Sequence, residues 1–325
     1  MQSRLAVIIV TWNAESFLPD CLHALKQQTR LPDRVIVIDN NSDDNSRLCC
    51  QQMPAWMTLV PLSENTGFAR ANNIAMSFVQ DCDYVVLLNP DTRPDSHFIH
   101  QLLVAAKNKP KGDFFASLLL DYTDPKLVDG SGDVYHVSGI YWRRDHGQKI
   151  AKTNFQAEEI FSPCAAAAMY RVETLHELGG FDESYFCYSE DIDLGFRLRA
   201  RGHNAWLVPD SIVYHAGSGI TGKHSDFSLY YGHRNLVWTF VQNMPGKLFW
   251  LYLPQHLLLN LVTLIYFSLQ GRGLLLCRAK WHAIWGLRRA FDKRKHNESL
   301  RIVSSKLLTS TMRKGWFSAY RKRHV

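Results

Sequence analysis

Residues 5 to 13 read L-A-V-I-I-V-T-W-N, a continuous apolar and β-branched run that closes at Trp12 and Asn13. Such a run is typical of a strand that is buried on both faces of a sheet. Similar runs recur at 35 to 38 and 84 to 88, and amphipathic patterns at about 16 to 28 and 65 to 78 lie between them. This alternation predicts an α/β fold with a mostly parallel sheet and helices on both faces.

The rest of the chain is less regular. Further strands are expected at 57 to 61, 162 to 169 and 206 to 214. Residues 112 to 160 are interpreted as an inserted β region, with strands near 114 to 120 and 139 to 142. The segment from 248 to 269 is mostly apolar but is interrupted by Pro254, Gln255, His256 and Asn260. Buried or interfacial helices are therefore expected there rather than a membrane span.

Polar residues follow the predicted strands, where open α/β sheets bind their ligands. Asp39 could accept hydrogen bonds from a nucleobase or ribose, or could supply an Asx turn or a helix cap. The segment Asn89-Pro90-Asp91 suits a hard divalent cation, Mg²⁺ or Mn²⁺, whose remaining ligands would be diphosphate oxygens. It is also an ordinary strand-ending turn. His215, which precedes Ala-Gly-Ser-Gly at 216 to 219, could reach the metal or the diphosphate, or could be a structural histidine.

Residues 179 to 193 read G-G-F-D-E-S-Y-F-C-Y-S-E-D-I-D. Four of the carboxylates in this stretch, Asp182, Glu190, Asp191 and Asp193, lie close in sequence to the aromatic residues Tyr185, Phe186 and Tyr188. A partly desolvated carboxylate in such a setting can act as a general base. Asp191 and Asp193 lie two residues apart, so on a helix they point about 200° from each other and must have different roles. Each could instead cap the helix, as could Glu190.

Composition bounds the class of protein. With 325 residues, 46% hydrophobic and 12% aromatic, the chain is not disordered. Residues 271 to 325 contain 15 Lys and Arg against 2 acidic residues, interleaved with Trp and Phe, which favours amphipathic helices on an anionic membrane surface. Seven cysteines without C-x-x-C spacing, and no export leader, indicate a reducing cytoplasm. No nucleic-acid-binding module is recognised, so nucleic acid is not an expected partner.

Seven segments, in order, resemble the inverting family 2 glycosyltransferases of the GT-A fold, particularly the bacterial branch that contains dTDP-rhamnosyltransferases. The resemblance covers roughly residues 5 to 240 and is highly specific. Its segments are VIIVTWN (7–13), VIDNNSDD (37–44), NTGFARANN (65–73), LLNPDT (87–92), GGFDESYF (179–186), SEDIDLGFR (189–197) and His215.

The resemblance implies a role for each site residue. Asp191 would be the catalytic base, with Glu190 as a second candidate, and Asp91 and His215 would ligate the divalent cation. Arg234, in the His233-Arg234-Asn235 triplet, would contact the diphosphate or make an ordinary helix salt bridge. The remaining residues of the nucleotide-sugar pocket would be Thr11, Asn13, Asp39, Asn41, Gly67, Arg70, Asn73 and Asn89.

Two departures from the family pattern matter. Asn89 replaces the first aspartate of the D-x-D motif, which leaves one fewer carboxylate for the metal, although N-P-D is itself typical of the rhamnosyltransferase branch. Residues 164 to 168 read C-A-A-A-A where relatives commonly have glycine, so the acceptor side of the pocket could differ. The Q-x-x-R-W motif of processive synthases is missing, so addition of a single sugar is expected.

These patterns together predict a catalytic domain over residues 1–240 and an apolar, then basic, helical extension over 241–325 that associates with the membrane. The expected activity is transfer of one sugar, L-rhamnose from dTDP-L-rhamnose, to a lipid-linked or lipopolysaccharide acceptor. The enzyme would be cytoplasmic and peripheral on the inner face of the cytoplasmic membrane. Two alternatives stay open: a UDP-hexose donor, and a catalytically silent protein that binds nucleotide sugars.

Overall fold

A computed structural model describes residues 3–51, 53–217 and 225–316 of the chain. Ser218 and Gly219, Phe317 and the end of the basic tail lie outside these residues. The strands are β1 (Leu5–Thr11), β2 (Arg34–Asp39), β3 (Met57–Pro61), β4 (Tyr84–Leu88), β5 (Thr92–Pro94), β6 (Phe114–Asp121), β7 (Val128–Gly130), β8 (Asp133–Tyr135), β9 (Tyr141–Arg143), β10 (Glu159–Ile160), β11 (Ala167–Arg171) and β12 (Ala205–His215). The helices are α1 (Leu18–Lys26), α2 (Gly67–Met76), α3 (Phe98–Asn108), α4 (Val172–Glu177), α5 (Glu190–Ala200), α6 (Asp226–Asn243), α7 (Gly246–Leu269), α8 (Gly273–Trp285), α9 (Leu287–Ser299) and α10 (Ser305–Ser310).

One large sheet organises the N-terminal two thirds of the chain, in the order β10-β12-β6-β11-β4-β1-β2-β3. The neighbours of β1, namely β2 and β4, are parallel to it, and β12 is parallel to β6. β11 interrupts the parallel arrangement because it is antiparallel to both β4 and β6, and the edge strand β10 is antiparallel to β12. Strand β1 is buried along its whole length, with helix-bearing apolar clusters on both of its faces. The predicted α/β fold with a mostly parallel sheet is confirmed.

The prediction of an inserted β region at 112 to 160 is wrong for its first strand. β6 lies inside the main sheet, between β11 and β12. Its sequence, F-F-A-S-L-L-L-D, is buried at seven of eight positions, as expected for a central strand with covered faces. Within the part of the chain that the structure describes, only the β8–β9 hairpin forms a separate sheet. Similarly, the strand expected at 162 to 169 begins later, at Ala167.

Short antiparallel strands bring distant polar residues to one edge of the sheet. β5 pairs with the end of β12, which places Thr92 opposite His215. The backbone N–H of Ala216 donates to the carbonyl oxygen of Asp91 at 3.0 Å. β7 pairs with β6 and carries Asp129 to the same edge. Three separate segments therefore converge where the parallel strands end.

The C-terminal helices pack on one another beside the sheet. α6 contacts α8 and α9, and α7 contacts α8. The predicted domain boundary at residue 240 falls within α6, and the division into two domains stays a prediction. α7 is long and apolar enough to cross a membrane, judged by its length and composition alone. Few of its residues are buried, so the expectation of a buried helix does not describe it.

Candidate active site

A cavity of about 290 Å³ opens at the carboxyl ends of the parallel strands. Its wall includes the ends of β1 and β4, the start of α5 and the β8–β9 hairpin. Six of the predicted site residues line it: Gly67, Asn89, Asp91, Glu190, Asp191 and His215. A concave site of this kind, with charged groups converging from separate elements, is suited to bind a polar ligand.

Asp91 and His215 form a buried pair on one side of the cavity. Nε2 of His215 lies 3.4 Å from Oδ1 of Asp91, and its Nδ1 lies 2.7 Å from Oδ2 of Asp129. Arg143 also donates to Asp129. Burial raises the pKa of Asp91, but the hydrogen bond and charge of His215, together with Arg143, outweigh burial and hold that pKa below its usual value. Asp91 is therefore ionised at neutral pH.

This arrangement fits a divalent cation. Asp129 accepts a hydrogen bond from Nδ1 of His215. The other ring nitrogen, Nε2, therefore faces the Asp91 carboxylate, and the two groups could both act as ligands of a metal ion. Metal-binding histidines are commonly oriented by a carboxylate in this way. Carboxylate oxygen is a ligand that suits Mg²⁺ and Mn²⁺, and imidazole nitrogen is a common ligand of divalent transition metals. Asp91 and His215 are the residues that would hold it, and Asp129 would orient the imidazole.

Asp191 faces the cavity from the first turn of α5. Its Oδ1 accepts from the backbone N–H of Ile192 at 2.8 Å, and its Oδ2 lies 3.5 Å from the N–H of Ala165. Burial raises the pKa of Asp191, while these two backbone groups oppose the shift. A carboxylate with a raised pKa is a better proton acceptor than an ordinary aspartate.

The neighbouring carboxylates have different surroundings. Glu190 is buried with no partner for its Oε2 among the described residues, and burial followed by the Asp191 charge raises its pKa well above the usual range. Asp193 points away from the cavity and accepts from Arg197 at 2.8 Å and Asn243 at 2.7 Å. The helical spacing that separated Asp191 from Asp193 in the sequence therefore corresponds to two different environments.

A strained loop carries Asp191 into place. Phe186, Tyr188 and Ser189 all have positive φ, at 66°, 68° and 71°, a conformation that costs free energy in non-glycine residues. The side-chain amide of Asn235 donates to the carbonyls of this loop, at 2.8 Å to Cys187 and 2.7 Å to Tyr188. These hydrogen bonds from α6 stabilise the loop that leads into α5.

The loop also packs closely against the start of α2. Gly67 has φ +79°, and a Cβ there would lie 2.5 Å from the carbonyl oxygen of Phe186. Only glycine fits at this position. The predicted contact of Gly67 with a sugar diphosphate stays a prediction, but the structure shows why the residue must be glycine.

Other predicted nucleotide-sugar residues lie behind the cavity wall. Asp39 is fully buried, forms an ion pair with Arg47, and has one oxygen, Oδ1, without a partner among the described residues. Thr11, Asn13 and Asn41 flank cavity-lining residues without lining the cavity themselves. Asn13 accepts from the N–H of Asp43 at 2.8 Å. The assignment of these residues to the nucleotide stays a prediction.

Three further predicted residues do not line the cavity, and their side chains contact other residues of the protein. Asn73 donates to the carbonyl oxygen of Phe181 and accepts from its N–H, both at 2.9 Å, which fixes the turn at 179 to 181. Arg70 is exposed beside Glu183. Arg234 donates to the carbonyl oxygen of Tyr185 at 2.7 Å and makes no salt bridge within the described residues. It therefore supports the loop at 186 to 189, which neither interpretation of Arg234 included.

Several residues in or next to the cavity wall were missed by the sequence interpretation. Asp129 and Asp133 flank a Gly-Ser-Gly segment, and this pair of acids around glycines was a signal that could have been noticed. Asn40 links Asn65 and Gly67 by side-chain hydrogen bonds of 3.0 and 3.2 Å. Arg143 and Tyr141 belong to a three-residue strand that has no detectable periodicity.

The fold and the site together define a glycosyltransferase of the GT-A class. The chain belongs to glycosyl transferase family 2, whose family model matches residues 6–179.

Curated relatives support this membership. The chain is 28% identical over 250 residues to the N-acetylglucosaminyl-diphospho-decaprenol L-rhamnosyltransferase of Mycobacterium tuberculosis, covering 69% of this chain and 79% of that protein. It is 29% identical over 226 residues to the rhamnosyltransferase WbbL of Escherichia coli K12, covering 65% and 81%.

Solved structures show the same fold. The mannosyltransferase PcManGT of Pyrobaculum calidifontis, in complex with GDP-Man and Mn²⁺, has a TM-score of 0.52 at 16% identity and covers 96% of this chain and 79% of that one. GalNAc-T7 with UDP, GalNAc and Mn²⁺ has a TM-score of 0.59 at 14% identity and covers 73% and 47%.

Proposed function

We propose that the protein is an inverting rhamnosyltransferase that moves one L-rhamnose from dTDP-L-rhamnose to a lipid-linked glycan. The observation that carries this proposal is that the Asp191 carboxylate and the Asp91–His215 pair open into one cavity. A base and a diphosphate site in a single cavity are what direct displacement at an anomeric carbon requires. The mycobacterial and Escherichia coli relatives are both rhamnosyltransferases, which favours rhamnose as the sugar.

In the proposed reaction, Asp191 takes the proton from an acceptor hydroxyl as the oxygen attacks the anomeric carbon. The attack comes from the face opposite the nucleoside diphosphate, so the configuration is inverted in one displacement. The two backbone N–H groups at Asp191 fix the carboxylate in position for the proton. Burial and the Asp191 charge raise the pKa of Glu190, and among the described residues its Oε2 has no hydrogen-bond donor to stabilise the ionised form, so Glu190 is the weaker candidate for the base.

Asp91 and His215 would bind the divalent cation, Mg²⁺ or Mn²⁺, that neutralises charge developing on the departing diphosphate. PcManGT and GalNAc-T7 were both solved with Mn²⁺, which supports a divalent cation as the cofactor class. With Asn89 in place of a first aspartate, the site has few carboxylates. We therefore expect cation binding to be weak without nucleotide and stronger with it.

The acceptor is proposed to be a glycan on a polyprenyl diphosphate, by analogy with the mycobacterial relative. A lipid-linked acceptor requires the enzyme to work at a membrane surface. α7 and α8 expose large apolar side chains, including Trp250 at 69% and Trp285 at 75%. Together with the basic composition of 271 to 325, this exposure supports a cytoplasmic enzyme that is peripheral on the inner face of the membrane.

Donor use is tested by a panel of nucleotide sugars with N-acetylglucosaminyl-diphospho-polyprenol in detergent. We expect release of dTDP from dTDP-L-rhamnose that depends on acceptor, with an inverted product linkage by NMR. UDP-hexoses should be poor substrates, and dTDP should compete better than UDP. Turnover with a UDP-hexose alone would favour the alternative donor, and no release with any donor would favour a silent binding protein.

A further inference from the structure

A second carboxyl group faces Asp191 across the cavity. Asp133, at the start of β8, lines the same cavity. One carboxylate oxygen of Asp133, one carboxylate oxygen of Asp191 and the Sγ of Cys164 all lie within 4.8 Å of one another. Asp133 is only 5% exposed, and its Oδ2 has no hydrogen-bond partner among the described residues. A buried, unpartnered carboxyl oxygen that faces a binding cavity is costly unless a ligand satisfies it.

Arg143 is the cation whose charge acts on both Asp133 and Asp191, but it makes no salt bridge with either of them within the described residues. Arg143, from the adjacent strand, forms its ion pair with Asp129. Within the described residues, neither Asp133 nor Asp191 forms a salt bridge. Cys164, Glu190 and Tyr141 complete the surroundings of the pair, and none of them carries a positive charge.

Two buried carboxyls this close repel each other when both are ionised, and a proton shared between them relieves that repulsion. Asp191 has two backbone N–H groups to stabilise its ionised form, whereas Oδ2 of Asp133 has no hydrogen-bond partner among the described residues. Burial, and then the charge of Asp191, raise the pKa of Asp133 well above its usual value, while Arg143 opposes the shift only in part. The shared proton therefore resides on Asp133.

We propose that Asp133 is a neutral carboxylic acid on the acceptor side of the cavity and donates a hydrogen bond to the acceptor hydroxyl that Asp191 deprotonates. This inference rests on the proposed function. The separation of the two carboxyls allows a single hydroxyl oxygen to lie between them, giving its proton to Asp191 and accepting a hydrogen bond from Asp133. As the new bond to the anomeric carbon forms and the bond to the diphosphate breaks, the hydroxyl proton moves to Asp191 and Asp133 keeps its own.

The proton on Asp133 can be observed without any turnover. In infrared spectra of the full chain, the carbonyl stretch of a protonated carboxylic acid should be present at neutral pH and should lose one component in Asp133→Asn. In Asp191→Asn the neighbouring charge is lost, so the Asp133 band should titrate at least about one pH unit lower than in the wild type. Asp210→Asn, which alters an exposed carboxyl, should change neither observation.

A band that is unchanged in Asp133→Asn, or that titrates identically in Asp191→Asn, would overturn the proposal. The Asp191→Asn arm keeps the test decisive even if Asp133→Asn does not fold. Since both arms use the protein without donor or acceptor, they stand whatever donor the enzyme uses.

Kinetics test the contact with the acceptor, using N-acetylglucosaminyl-diphospho-polyprenol as the probe. Transfer should fall in the wild type as rising pH ionises Asp133, and Asp133→Asn should lose this alkaline decline because its amide stays a neutral donor. Asp133→Ala should lower kcat/KM at least tenfold at neutral pH, with dTDP affinity unchanged, and the difference from the wild type should shrink at alkaline pH as the wild type loses its own donor. An alkaline decline that persists in Asp133→Asn, or equal kinetics in the alanine variant and the wild type, would refute the contact.

Discussion

Single residues in the first turn of α5 show how neighbouring carboxylates acquire different roles. Asp191 contacts two backbone N–H groups at the cavity wall, whereas Asp193 lies on the opposite face and is held by Arg197 and Asn243. The first environment leaves the carboxylate accessible to a substrate. The second makes it part of the packing between α5 and α6. Both residues are aspartates, and their different positions around the helix account for their different environments.

Asp191→Asn should abolish transfer while nucleotide binding remains. The amide cannot accept the hydroxyl proton, so we expect kcat to fall by at least about 10²-fold. Calorimetry with dTDP and a turnover assay separate the two effects. The matched control is Asp193→Asn, which removes the buried partner of Arg197 and should lower thermal stability more than chemistry. Wild-type turnover in Asp191→Asn would exclude it as the base.

Asp91→Ala should weaken binding of Mn²⁺ in the presence of dTDP, because it removes a proposed ligand. Asp129→Asn should weaken it about 10- to 100-fold, since Asp129 only orients His215. Calorimetric titration of Mn²⁺ at fixed dTDP measures both, and Asp210→Ala serves as the control. If Asp91→Ala binds Mn²⁺ as the wild type does, the cation site lies elsewhere.

At the scale of elements, helix α6 supports the loop at 186 to 189, which leads into α5. Asn235 and Arg234 both donate to carbonyls between 184 and 188, and three residues of this loop have positive φ. The loop conformation therefore depends on contacts made by a distant helix. An element outside the matched family region, at 226 to 243, thereby influences the position of Asp191.

Asn235→Ala should lower kcat more than it alters the affinity for dTDP. Losing the amide donors releases the loop, so Asp191 would be less well positioned, and misplacement of this kind commonly costs about 10²-fold. The control is Gln270→Ala, at the end of α7 and exposed. Equal losses in kcat and in nucleotide affinity would indicate general unfolding of the site instead.

The ion pair between Asp113 and His203 joins the beginnings of β6 and β12 and should make stability depend on pH. The hydrogen bond with Asp113, at 3.0 Å, raises the pKa of His203 despite burial. Burial raises the pKa of Asp113, but the bonds with His203 and Thr174 outweigh it and lower that pKa. The His203 contribution is complete below about pH 6.5 and is lost as pH rises through its folded pKa, while that of Asp113 is lost in acid.

His203→Gln should therefore lower the free energy of unfolding by about 1–2 kcal/mol near pH 5 and by less near pH 9. Urea unfolding at the two pH values measures the difference. His23→Gln, which alters an exposed histidine on α1, provides the comparison. A loss that is the same at both pH values would show that the histidine contributes packing alone.

The elements that could be predicted from the sequence are those with local signals. β1, β2 and β4 are continuous apolar runs that end in turn residues. Asp91 and His215 lie where predicted strands end, and Asp191 lies at the start of the predicted acidic helix. Asp129, Asp133 and Arg143 were missed, although the two acids flank a Gly-Ser-Gly segment, because their strands are three residues long and their positions depend on strand pairing. The loop contacts of Arg234 were equally hidden, since their acceptors are backbone carbonyls.

At the scale of the whole molecule, charge and apolar surface are distributed unequally. Residues 271 to 325 contain 15 Lys and Arg but only 2 acidic residues. Because the whole chain has a net charge of +7, the rest of the chain is net acidic. The large exposed apolar side chains are concentrated on α7 and α8, with Leu269 at 85% and Leu274 at 89%. Such apolar patches rarely face water in soluble monomers. The two features together favour an anionic membrane as the surface that covers these helices.

Flotation with liposomes tests this association. The protein should float with vesicles containing phosphatidylglycerol, float less with pure phosphatidylcholine, and be partly released by high salt, because screening weakens the attraction of basic residues to anionic lipid. The double variant Trp250→Glu with Trp285→Glu should lose most binding, since two exposed aromatic anchors are replaced by charges. Leu48→Glu, which alters an exposed apolar residue far from the C-terminal helices in the sequence, should float as the wild type does.

An alkaline carbonate wash then distinguishes two ways in which α7 can associate with the membrane. Release of the protein indicates a helix that lies at the interface, and retention indicates a helix that spans the bilayer. If the double variant floats as well as the wild type, these helices are covered by something other than lipid.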